Sequence, residues 1–174
     1  MTEREDYRES EESAMILCEA VLGSVNEDKF KEMTVDYVDI EWHEAFKRIH
    51  QKTTRQGREI GIRLGTEILT KGLREGDVLW QEGQEVIAVQ IPACEVIVID
   101  VDKAHREMAY KVCYEIGNKH AALIKGEEEL QFITPYNEPT IQLLKKLHGV
   151  QARKEVRKLD FDRAVSSTVS SHTH

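Results

Sequence analysis

Imidazole is the commonest neutral side-chain ligand for transition-metal ions, and three of the seven histidines in this 174-residue chain stand where they could serve as one. His120 closes the tetrapeptide Gly117-Asn118-Lys119-His120, and His172 and His174 end the chain as His-x-His. Residues two apart in an extended backbone point to the same side, so His172 and His174 can approach one ion together. Ordering such a tail costs roughly 1–2 kcal/mol per fixed residue, which makes it a labile ligand set suited to a donor. These positions support metal handling rather than catalysis: His120, His172 and His174 are the candidate metal ligands, and no catalytic residue is assigned.

The other chemistry-bearing residues support less. His43-Glu44 followed by His50 resembles H-E-x-x-H, but the second histidine comes seven residues after the first, directly after a strand-like stretch, so the metalloprotease geometry fails. His105, near Glu107 and Lys111, reads as a solvated polar residue early in a helix. His148 ends a second helix, where positive charge is favoured, and reads as a cap. Cys18, Cys94 and Cys113 are odd in number and lack C-x-x-C spacing, which argues against a disulfide framework or a thiolate zinc knot. Cys113 falls on an apolar helical face and reads as core.

The elements that would hold these residues emerge from periodicity. Residues 1–13 are mostly charged or Ser and read as a disordered lead-in. A mostly apolar run to Leu22, closed by Gly23, suits a buried strand. Val38, Ile40 and Trp42 alternate with Asp39 and Glu41, and Ile60, Ile62 and Leu64 alternate with Glu59, Gly61 and Arg63, both as half-exposed strands do. Val78-Leu79-Trp80 and a run over 86–91 that stops at Pro92 complete a small β barrel or sandwich over 14–93. Trp42 and Trp80 read as core anchors.

Past Pro92 the pattern changes. A strand over 95–100 leads to Asp102, a capping residue for a helix over 103–116, where Met108, Val112 and Ile116 recur every four residues. Gly117-Asn118 suits the left-handed stop such a helix needs. Strands over 121–125 and 128–133, a helix begun by Asn137-Glu138-Pro139 and a last strand over 150–158 complete the order β-α-β-β-α-β, a ferredoxin-like unit over 94–160. The tail, 161–174, is Ser/Thr-rich and aperiodic and reads as flexible. The fold class expected is therefore α+β in two units.

Lys and Arg number 24 against 32 Asp and Glu, a net charge of −8, so attraction to a nucleic-acid backbone gains nothing from the whole-chain balance. No run approaches the roughly 20 apolar residues of a membrane helix, and the acidic start is unlike a signal peptide. A cytoplasmic protein without nucleic-acid or membrane partners is expected. The basic run Lys47, Arg48, Lys52, Arg55, Arg58 and Arg63 reads as a solvated face or a protein-docking one.

The residues at 52–62, Lys-Thr-Thr-Arg-Gln-Gly-Arg-Glu-Ile-Gly-Ile, the Gly76-Asp77-Val78-Leu79 strand, and Val112-Cys113-Tyr114-Glu115-Ile116-Gly117-Asn118-Lys119-His120 together resemble the UreE family of urease accessory proteins, over about 14–160. Pro135-Tyr136 and the run 143–147 fall where that family's second helix is expected. Lys119 stands where the family usually has Arg, which keeps the charge but not a bidentate fork. The resemblance implies a non-enzymatic nickel metallochaperone; imidazole itself suits zinc and copper as well, and the sequence leaves open whether they compete in vitro. The resemblance further implies a homodimer that brings two copies of His120 together, and docking to the urease accessory GTPase and apo-urease, with the N-terminal unit as the urease contact. A protein- or RNA-binding module built on the ferredoxin-like sheet is the alternative, although its outer positions supply Phe132 as the only aromatic where stacking platforms need several.

Overall fold

The computed structural model describes residues 15–165, which form a mixed α+β structure of three sheets and three short α-helices. The lead-in over 1–13 and the candidate ligands His172 and His174 lie outside the described residues. No helix among the described residues is long and apolar enough to cross a membrane.

The N-terminal half contains β1 (Ile16–Cys18), β2 (Gly23–Ser24), β3 (Thr34–Asp39), β4 (Ile49–Thr53), β5 (Glu59–Arg63), α1 (Ile68–Lys71), β6 (Asp77–Glu82) and β7 (Glu85–Gln90). These strands do not close into a barrel. They form two sheets, ordered β1-β5-β4 and β2-β6-β7-β3. The run expected as one buried strand up to Leu22 splits between them, because Met15, Leu17, Val21 and Leu22 are exposed and Cys18 alone is buried. The alternating stretches behave as their period requires: Val38 and Ile40 from β3 and its end, and Ile60, Ile62 and Leu64 from β5 and its end, meet Ile87 and Val89 of β7 in one buried cluster between the sheets. The remaining β7 residues, Val86 and Ala88, pack with Phe30 and Val78 on the other face. A strand buried on both faces reads as a continuous apolar run, as β7 does.

The C-terminal half contains β8 (Cys94–Val101), α2 (Met108–Asn118), β9 (Ile124–Lys125), β10 (Gln131–Pro135), α3 (Glu138–Leu144) and β11 (Val150–Arg157). Its sheet is antiparallel and ordered β11-β8-β10-β9. Ile97, Ile99 and Val101 of β8 bury against Val112 and Ile116 of α2 and Ile141 and Leu144 of α3. Val96 and Val98, on the opposite face, enter the same cluster as Val38, Ile60 and Ile87. One of the three buried clusters among the described residues is thus shared by the two halves, and it covers the β8 face that an RNA-binding module would present.

The tail begins differently from its expected flexibility. Phe161 is buried, its ring 5.5 Å from that of Phe46, and Arg163 donates to the Gly126 carbonyl. Ala164 bridges antiparallel to Ile124, and the Val165 N–H donates to the Leu123 carbonyl at 2.8 Å. Burial of one aromatic ring, worth about 1.5–3 kcal/mol, opposes the entropy of fixing these few residues.

His50, on β4, is buried and donates from Nε2 to the Lys47 carbonyl at 2.9 Å. Burial is the main influence on it and pushes its pKa below the usual histidine value. The unfolded chain therefore takes up this proton first as pH falls, so folded stability declines below about pH 6.5, by up to about 1.4 kcal/mol per pH unit from this group. Urea midpoints compared at pH 7 and pH 5 are expected to fall less for His50→Gln than for the wild type; equal falls would remove His50 from this role.

Candidate metal centre

The helix that delivers His120 runs two residues further than its glycine implied. Gly117 and Asn118 are still helical, and the left-handed position falls on His120, at φ 52°. The His120 N–H donates to the Gly117 carbonyl at 2.9 Å and the Ala121 N–H to the Ile116 carbonyl at 3.4 Å. That pair of bonds is a Schellman closure, in which glycine normally takes the place held here by His120. A side chain in this conformation costs roughly 1–2 kcal/mol. Ala121 and Ile116 belong to one buried cluster, which holds the reversal in place. Instead of opening a strand at 121, the chain pairs only from Ile124.

The result is an exposed imidazole at the lip of a groove of about 280 Å³, lined by Trp42, Lys119, Pro135, Tyr136 and Asn137 among others. Trp42 is half-buried and joins the core on one side and the groove on the other. The Tyr136 hydroxyl donates to Glu138, and Lys154 lies 4.2 Å from the Tyr136 ring centre. Asn137 caps α3 as its sequence position required, its Oδ1 accepting from the Thr140 N–H at 3.2 Å. Among the described residues no three His, Cys, Asp or Glu side chains cluster as a metal site. His120 therefore brings one ligand per chain.

The α2 surface leading to His120 is apolar and open. Tyr110 is 80 % and Tyr114 65 % exposed, and Gly117, seven residues after Tyr110, has nothing within 4 Å of where a Cβ would stand. Spacing of i, i+4 and i+7 puts all three on one helical face. Exposed aromatics of that size mark contact surfaces more often than chance.

The three cysteines are buried or half-buried and unpaired among the described residues. Burial raises the Cys18 thiol to about 11 and also pushes up Cys94 and Cys113, so none offers a ready thiolate. The H-E-x-x-H likeness also dissolves: Glu44 pairs with Lys52 at 2.6 Å, and His50 faces the core. Most of the basic run is paired internally, Arg55 with Asp39 at 2.9 Å, Arg58 with Asp36 and Glu85, and Arg48 with the Leu64 carbonyl.

Two histidines read as unrelated prove to be neighbours. His105 sits in a single 3-10 turn, Lys103–His105, capped by Asp102, while α3 ends at Leu144 and leaves His148 beyond it. Their Nε2 atoms are 2.9 Å apart. The signal was present in the topology: β8 and β11 are adjacent and antiparallel, with Val101 opposite Val150, so the turn leaving β8 meets the turn entering β11.

Comparison with known proteins agrees across both halves. Residues 18–92 match the model of the UreE urease accessory protein N-terminal domain. The urease accessory protein UreE of Helicobacter pylori is 46 % identical over 145 residues, 83 % of this chain and 83 % of that protein. The corresponding protein of Acetivibrio thermocellus is 40 % identical over 159 residues, 91 % of this chain and 99 % of its own, and that of Helicobacter acinonychis is 45 % identical over 145.

Proposed function

Because the chain belongs to the UreE family of urease accessory proteins, we propose that it is a non-catalytic cytoplasmic chaperone that binds nickel through His120 at a homodimer interface and delivers it for urease assembly. The observation that carries this reading is the imidazole at φ 52° on a helix end where glycine would be strain-free. Left-handed strain in a side chain is retained where the surroundings over-determine it and function gains from it. Here the gain is a ligand thrown clear of the surface, beside the aromatic face of Tyr110 and Tyr114.

One imidazole cannot hold an ion tightly, and a two-fold axis near His120 doubles the count with no further residue. The tail offers more. At Val165 the chain runs antiparallel to 123–124, toward His120, and the seven residues from there to His172 can span up to about 25 Å. His172 and His174 are therefore within reach of the ion held by His120. On this reading the β-α-β-β-α-β unit over 94–160, ferredoxin-like in strand order, carries metal and dimer face, while the unit over 14–93 meets urease and the accessory GTPase receives the ion. Imidazole accepts nickel, zinc and copper alike, so delivery to the right partner, rather than ligand type, provides selectivity.

Activation of apo-urease with its accessory GTPase tests the reading. Nickel-loaded wild type is expected to activate beyond the same free nickel, and Tyr110→Glu/Tyr114→Glu, folded but monomeric, is expected to give no such gain. Activation by that variant equal to wild type would overturn the shared site.

A further inference from the structure

His105 and His148 face one another with Nε2 atoms 2.9 Å apart, ring centres 4.3 Å apart and planes at 84°. We propose that they form a second metal site, for a divalent ion of tetragonal preference such as Cu2+ or Ni2+, on the edge of the C-terminal sheet where β8 ends and β11 begins. These two residues supply its protein ligands without any contribution from His120.

Two distances bear on whether the pair can hold an ion: the nitrogens lie within hydrogen-bond range of one another, and that separation also suits two ligands of one ion. Nitrogens bound at about 2.0–2.1 Å and at a right angle, as in tetragonal coordination, are about 2.9 Å apart, whereas tetrahedral coordination would separate them by about 3.4 Å. A near-linear N–H···N bond at the same nitrogen separation would hold the ring centres about 5 Å apart. The observed 4.3 Å shows that the ring axes are not both aligned with the line between the nitrogens, and two rings bound at a right angle to one ion would place their centres about 4.5 Å apart, close to what is seen.

The surroundings position both rings. The Asp102 N–H donates to the Gly149 carbonyl at 2.8 Å, which ties the His105 turn to the segment carrying His148, and the His105 N–H closes on the Asp102 carbonyl at 2.9 Å. Gly149, at φ 70°, leaves the space the His105 ring occupies: a Cβ there would lie 2.7 Å from the His105 Cβ and 3.0 Å from Nδ1. That Nδ1 is buried without a hydrogen-bond partner among the described residues, and the Asp102 carboxylate is 3.8 Å away. At that distance Asp102 makes no hydrogen bond to the ring and adds only a nearby negative charge, which favours a cation at the pair. His148 is exposed, so water can complete the coordination. Two protein ligands plus water make a weak, rapidly exchanging site.

The test uses the full chain carrying His120→Ala, His172→Ala and His174→Ala, so that the site proposed for the chaperone role is absent, and Cu2+ as probe. One Cu2+ per chain is expected by titration, with a two-nitrogen signature in its electron paramagnetic resonance spectrum. Adding His148→Gln, which keeps hydrogen-bonding capacity but not an imidazole, is expected to weaken binding about 10-fold or more and leave one nitrogen. Gly149→Ala, with both histidines present, is expected to weaken it as well by displacing His105. Failure of the triple variant to bind, or a spectrum unchanged by His148→Gln with circular dichroism reporting a native fold, would overturn the site and leave the His120 reading untouched.

Discussion

His120→Ala is expected to lower nickel affinity by more than the loss of a merely supporting residue does, which is about 10–100-fold, since under two-fold symmetry one substitution removes two ligands. Stability should move the other way in a companion variant. His120→Gly relieves the left-handed strain and is expected to be more stable than His120→Ala by about 1 kcal/mol, while binding nickel as poorly. A side chain that weakens the fold and is needed by the ligand separates a functional imidazole from a packing one. Equal nickel affinity in wild type and His120→Ala, by equilibrium titration, would withdraw His120 from the site.

Asp36→Ala is expected to destabilise the protein by about 3 kcal/mol, toward the lower end of what breaking a buried ion pair costs. The Asp36 side chain is 1 % exposed, accepts from Arg58 Nε at 2.9 Å and from the Gln56 N–H at 3.1 Å, and so fastens the turn between β4 and β5 of the first sheet onto β3 of the second. Removing it strands a largely buried guanidinium, and Glu85, still 2.9 Å from Arg58, limits the loss. Asp36→Asn, which keeps an acceptor for Gln56, should cost less. Urea unfolding with an unchanged slope measures both; a loss under about 1 kcal/mol for Asp36→Ala would mean that core packing alone joins the sheets.

The sequence was most legible where one local signal decided the outcome. Alternation in β3 and β5 named the buried residues, the apolar runs of β7 and β8 were legible as strands although not as strands covered on both faces, and Asn137 announced α3. It was misleading where tertiary contacts chose between local options. Gly117-Asn118 carried the signs of a helix stop, but Ala121 packs with Ile116 only if the reversal comes at His120. The start of the tail looked featureless because its anchor, Phe161, depends on Phe46, more than a hundred residues earlier. Strand spacing left a barrel and a sandwich both open; the strands form two separate sheets and do not close into a barrel. His105 and His148 are 43 residues apart and meet only through strand order, whereas His120 could be picked out as a candidate because it closes a local turn motif.

The shared site at His120 is tested most directly by the mass of the native protein at half an equivalent of nickel per chain. A dimer carrying one nickel is expected as the main loaded species, and a His120→Ala protein is expected to carry none at the same nickel. Nickel on a monomer, or a His120→Ala protein loaded as fully as the wild type, would contradict a site shared between two subunits.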